Sequence, residues 1–191
     1  MESFFDKLKA SQPIENIEEE YQFDTVLSEK DIDKDLLALI PLRSSDGRES
    51  IFVPKGSMQT FENIDAICTI RFFNKNENAP IDGCVIVSPQ DPDDSDNIFL
   101  EETVNTIVWQ MTEEDEEVED YRINSVSKVI KSNEQGILFD YSMKYGESIV
   151  RNLQYITLKN RCYVIATVSI PEYLSQELGP SAFASALSLI V

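Results

Sequence analysis

Histidine is absent from this 191-residue chain. That removes the Ser-His-Asp triad and the Cys-His dyad. It also removes the HExxH zinc site and any imidazole metal shell. General acid/base work would fall to carboxylates, Lys or Tyr. Glycine is scarce: Gly47, Gly56, Gly83, Gly136, Gly146 and Gly179 are the whole set. No two of them are spaced as GxGxxG or GxxxxGK requires, which argues against nucleotide binding by those loops. Cysteine occurs three times, at Cys68, Cys84 and Cys162. An odd count at wide spacing fits neither a disulfide framework nor a CxxC metal knuckle. Each lies in an apolar run, "AICTIRFF", "GCVIVS" or "RCYVIATV", and reads as a buried, reduced core thiol.

Long hydrophobic runs are missing as well. None approaches the roughly 20 residues of a membrane-spanning helix. The opening segment "MESFFDKLKASQPIENIEEE" carries acid at position 2 and no apolar stretch long enough for a secretory signal. The expectation is a cytoplasmic or nucleocytoplasmic protein with no membrane span. A single tryptophan, Trp109, sits in a segment that reads as packed helix, so the aromatic-lined cleft of a glycosidase is not evident. No enzyme and no cofactor is expected.

Positive charge is the remaining deficit. Sixteen Lys plus Arg face 35 Asp plus Glu, for a net charge of -19. Such a surface repels nucleic acid and anionic lipid and attracts cations and basic proteins, most strongly at low salt. Acidity that only keeps the protein soluble accounts for the same composition.

What is present is a packable chain. An apolar fraction of 42% and an aromatic fraction of 9% suit a globule. The length suits one domain, able to bury roughly 70% of the surface of the unfolded chain. Residues 1–35 form an acidic N-terminal arm, mobile or docked on the body or on a partner, broken at Pro13 and loaded with charge in "EKDIDKD". Residues 36–191 form the body. "LLALIPL" and "ESIFVP" read as short strands bounded by turn residues. "AICTIRFF" places Ala66, Cys68, Ile70 and Phe72 on one strand face, and "GCVIVS" is apolar on both faces, as in a covered central strand.

After "QDPDDSDN", Leu100, Val104, Ile107, Val108 and Met111 recur at helical spacing. "GILFDYSMKY" alternates: Ile137, Phe139, Tyr141, Met143 and Tyr145 share the face expected inward against the helices, and Leu138, Asp140, Ser142 and Lys144 the other. "GES" turns the chain, and "IVRNLQYITL" and "RCYVIATVSI" follow, joined by a two-residue turn at Lys159-Asn160. Pro171 stops this antiparallel meander. "EYLSQELGPSAFASALSLIV" predicts a helical turn, a Gly-Pro break and a final helix with Phe183, Leu187 and Ile190 as its docking stripe. The fold class is α+β, an antiparallel sheet with helices packed on its faces.

Two segments are candidate sites. In an EF-hand frame Asp91, Asp93, Ser95 and Asn97 fall at positions 1, 3, 5 and 7, and Glu102 at 12. Position 6, where the sharp turn needs Gly, is Asp96, and a strand precedes the loop. A helix-capping acidic turn explains the same residues, so calcium binding is the weaker reading. "TEEDEEVEDY" holds seven acids in ten residues: Glu113, Glu114, Asp115, Glu116, Glu117, Glu119 and Asp120. With Glu18, Glu19 and Glu20 of the arm, it forms the candidate docking strip for Lys and Arg of a basic partner. A solvated loop is the plainer account of such a run.

The strand "GCVIVS", the helix "NIFLEETVNTIVWQM", the meander from Gly136 to Val168 and the closing helix come in an order that resembles the PsbP/Mog1/DcrB-like fold. The resemblance covers somewhat more than half of the chain, from about residue 83, and lies in element order without signature residues. The N-terminal arm departs from it, and the hallmarks of the Ran-binding branch are not found. Members are mostly non-catalytic binding proteins: photosystem subunits, a Ran-binding import factor and secretion-effector chaperones. The resemblance implies an α/β/α sandwich and a binding role with no particular ligand.

The functional expectation is a non-catalytic adaptor, chaperone or regulator that binds a basic protein through an acidic surface, without direct nucleic-acid binding. The alternatives are a DNA-mimic or immunity-type inhibitor of a nucleic-acid-binding enzyme and, more weakly, a calcium-binding module. A mimic must set out one charge per roughly 1.7 Å of duplex axis, and the acid clusters here are separated by apolar strands.

Overall fold

The computed structural model describes residues 25–28, 39–43, 50–54, 56–64, 67–74, 80–89, 121–131, 134–159 and 162–189. They form ten strands, a 3-10 turn and a helix. The strands are β1 (Thr25–Ser28), β2 (Leu39–Arg43), β3 (Ser50–Pro54), β4 (Ser57–Ile64), β5 (Ile67–Asn74), β6 (Asp82–Pro89), β7 (Tyr121–Lys131), β8 (Glu134–Tyr145), β9 (Ser148–Lys159) and β10 (Cys162–Pro171). The 3-10 turn (Glu172–Leu174) leads into α1 (Ser175–Leu187). The eight-stranded sheet runs β1-β7-β8-β9-β10-β6-β5-β4, and β2-β3 is a separate antiparallel hairpin. Seven strands pair antiparallel, and β1 joins β7 in parallel at the edge.

The expected meander is β8-β9-β10. The first turn is Gly146-Glu147, closed by the pair Tyr145↔Ser148, with Gly146 at φ 60. A left-handed φ is what glycine tolerates best in a two-residue hairpin. The second turn lies one residue later than the sequence suggests, because Lys159 pairs with Cys162 and leaves 160–161 as the connection. β6 is interior, between β10 and β5, as its two apolar faces require. Two strands escape the pattern reading. β4 is polar and mostly exposed, and β7 carries a register shift between Ile123 and Ser125 that interrupts its alternation.

Both faces of the sheet are buried. The first core gathers Ile70, Phe72, Val85, Leu138, Leu153, Tyr155, Val164, Ala166 and Val168 beneath Ala182, Ala186 and Leu187 of α1, with Ile51 and Val53 of β3. The second holds Val126, Ile137, Phe139, Ile156 and Ile165. This corrects the expected facing of β8. Leu138 belongs to the core that α1 covers, whereas Phe139 is fully buried in the other core. Strict alternation separates two faces but does not say that only one is covered.

α1 also departs from expectation, running without a break through Gly179-Pro180. A proline ring clashes with the Cβ of the preceding residue in helical backbone, and Gly179 has none. The docking stripe is Ala182, Ala186 and Leu187 with Leu189 beyond, and Phe183 packs only partly. Ile190 lies outside the described residues. The small side chains let the helix lie close on the sheet. Lys131, buried on β7, donates from Nζ to the Leu189 carbonyl at 3.2 Å and lies 4.3 Å from the Tyr155 ring centre. A cation there complements the C-terminal end of the helix dipole. No described helix is long and apolar enough to cross a membrane.

Cys84 and Cys162 are free thiols, half-buried rather than enclosed in the core. The burial of Cys68 lies outside the described residues.

Candidate functional site

Asp140 and Ser142 occupy the face of β8 that Leu138 turns toward α1. The turn at Gly146-Glu147 sets the β8–β9 register, pairing Ser142 with Arg151 and Asp140 with Leu153. Arg151 therefore reaches Asp140 diagonally. Its Nε donates to Oδ1 at 2.8 Å and its Nη2 to Oδ2 at 2.5 Å. The bulge in β7 brings in Asn124, whose Nδ2 donates to Asp140 Oδ1 at 2.9 Å and to Ser142 Oγ at 3.1 Å. Ser142 Oγ donates to Glu172 Oε2 at 2.9 Å, in the 3-10 turn. Arg122 closes the ladder, with Nε to Asn124 Oδ1 at 3.0 Å and Nη2 to Glu172 Oε1 at 3.3 Å.

The ladder carries two guanidinium groups and two carboxylates, so its formal charge is zero. Asp140 and Ser142 are buried, Arg122 is largely exposed. The Asp140 hydrogen bonds raise the Arg151 pKa against the cost of burial, and the charges of Asp140 and Glu172 add to the rise. Arg151 stays a cation at every physiological pH. Ser142 touches a carboxylate, yet it is enclosed and its oxygen also accepts from Asn124. The arrangement clamps β7, β8, β9 and the entry to α1 together; it offers no accessible nucleophile.

Beside the ladder, between β9 and the first half of α1, lies an open cleft of about 240 Å³ lined by Arg151, Leu153, Ser175, Gly179, Pro180 and Phe183. A Cβ on Gly179 would stand 3.7 Å from Arg151 Nη1, so the missing side chain widens the cleft. Ser175 Oγ is buried and has no hydrogen-bond partner among the described residues.

Glu18, Glu19, Glu20, the strip Glu113–Asp120, and Asp91, Asp93, Ser95, Asn97 and Glu102 all lie outside the described residues, as does the helix expected near 97–111. Among the described residues no three His, Cys, Asp or Glu are grouped to hold a metal. Sequence pattern does not show the ladder directly, although a two-residue turn at Gly146-Glu147 sets Ser142 opposite Arg151. That register was the available signal.

The described architecture is that of an α+β protein of the PsbP/Mog1-like fold, an antiparallel sheet carrying a C-terminal helix. Among solved structures, the chain is similar to the cyanobacterial PsbP protein CyanoP from Synechocystis sp. PCC 6803, with TM-score 0.63 and 12% identity over 83% of this chain and 95% of that one. It is similar to LpqN, involved in cell envelope biogenesis of Mycobacterium tuberculosis, with TM-score 0.50 and 10% identity over 83% and 93% of the two chains. The Ran-binding protein Mog1p of Saccharomyces cerevisiae follows at TM-score 0.48 and 10% identity over 80% and 88%. At these identities the likeness is one of fold. No family model matches the chain, and no curated protein matches it.

Proposed function

We propose that this chain is a non-catalytic adaptor, chaperone or regulator that binds a basic protein through an acidic surface. One observation carries the reading: the chain has a net charge of -19, and the polar ladder in its body, being neutral, accounts for none of it. The excess acid is free to set a long-range field for a cationic partner. In this reading residues 1–35 are the acidic arm and 36–191 the body. The parallel pairing of Thr25–Ser28 with β7 supports an arm that docks on that body.

The test is retention of proteins from native lysate across a salt series, with the wild-type chain and a variant changing Glu113, Glu114, Glu116 and Glu117 to Gln. A basic protein held at low salt, released as salt rises, and held less by the variant at unchanged melting temperature supports the reading. No retained protein at low salt overturns it. Equal retention by the variant returns the strip to a solvated loop.

A further inference from the structure

The cleft between β9 and α1 combines three features. Its walls are apolar, from Leu153, Pro180 and Phe183. Its one charged group is held in place: Arg151 spends Nε and Nη2 on Asp140, and no described residue accepts from Nη1. A guanidinium fixed in this way is a preorganised donor, costing little ordering on binding. The third feature is Ser175 Oγ, buried and unpaired. Leaving a buried hydroxyl unpaired is costly, and rotation about χ1 into the cleft would forfeit no existing bond. Two exposed side chains lie close by in the chain. Ile149 shares the β9 face of Arg151 and Leu153 and is 49% exposed, and Tyr173, just before α1, is 82% exposed. Tyrosine and arginine beside an apolar pocket are the composition of protein-binding hot spots.

The charge balance narrows the ligand. Arg151 is already neutralised by Asp140, Glu172 is close by, and the whole chain repels anions. A neutral acceptor fits these conditions, and a carboxylate does not. We propose that the cleft binds a partner's peptide segment, taking one bulky apolar side chain between Leu153, Pro180 and Phe183 while its backbone carbonyl accepts from Arg151 Nη1 and Ser175 Oγ. This anchor uses none of the residues assigned to the acidic surface, and the two apolar amides carry no charge, so either reading can fail alone.

The test uses the full chain, ¹⁵N-labelled and titrated with N-acetyl-leucinamide and N-acetyl-phenylalaninamide. N-acetyl-leucine, with a free carboxylate, and N-acetyl-lysinamide are the contrasts. The two apolar amides should saturably shift the amide signals of Ser175, Gly179 and Phe183 and the Nε–H signal of Arg151. Ser175→Ala should weaken that binding about fivefold, the size of one net hydrogen bond, while melting is unchanged or raised. Phe183→Ala should abolish it. No saturable shift with either amide overturns the proposal. So does tighter binding of the free carboxylate, or equal binding of the lysine derivative. A lower melting temperature for Ser175→Ala, with probe affinity intact, would make the hydroxyl structural and overturn its assigned role.

Discussion

Arg151 on β9 grips Asp140 on β8 through both carboxylate oxygens, although its direct cross-strand partner is Ser142. The diagonal reach satisfies a buried carboxylate and leaves Ser142 to bridge to Glu172 and the start of α1.

Removing both sides of this pair should cost less than the two single removals added together. Asp140→Ala should destabilise by about 1–3 kcal/mol, because it strands a part-buried guanidinium and frees Asn124. Asp140→Ala with Arg151→Met should lose less than the sum of the single changes. Urea denaturation of the four proteins measures the coupling. An Asp140→Ala loss below about 0.5 kcal/mol would mean that the pair behaves as a screened surface bridge.

The two cores predict matched penalties on adjacent residues. Phe139→Ala should cost about 3–5 kcal/mol and Leu138→Ala about 2–5 kcal/mol, since both side chains are buried on opposite faces. Equilibrium unfolding of each variant is the check. A small loss at either position would show that its face is not packed.

Gly136 is required by its neighbours. A Cβ there would lie 2.5 Å from Tyr155 Cε2 and 2.7 Å from the Ile156 carbonyl oxygen. Gly136→Ala should destabilise by about 1–3 kcal/mol by overpacking. Adding Tyr155→Leu should recover part of the loss, whereas the backbone contact remains. Thermal melts of the single and double variants decide it; a harmless Gly136→Ala would place the Tyr155 ring elsewhere.

Burial raises the Cys84 thiol pKa above its ordinary 9.0, partly opposed by the Arg71 charge and a Thr167 hydrogen bond. The folded chain thus holds this proton more tightly than the unfolded chain. Unfolding releases it as pH climbs past 9, so this thiol's contribution to stability is intact below that value and lost as pH rises through the folded pKa. At pH 8 a Cys84-only variant, with Cys68 and Cys162 changed to Ser, should react with iodoacetamide more slowly folded than in urea. Equal rates would contradict the raised pKa.

Residue pattern alone determined the texture of this protein. Alternation in "GILFDYSMKY" and "RCYVIATVSI", glycine at 146 and proline at 171 define β8, β9 and β10, because strand period and turn conformation are local properties. The missing histidine and the acid excess are likewise composition, and they bound the chemistry without a fold. Tertiary structure decided the rest. Burial on both sides of β8, the unbroken helix through Pro180 and the closing of Arg122, Asn124, Asp140, Ser142, Arg151 and Glu172 into one ladder depend on partners far apart in the chain. The β7 bulge brings Asn124 to Asp140, and the seating of α1 against β9 opens the cleft at Arg151. Those are long-range packing outcomes, and local periodicity carries no record of them.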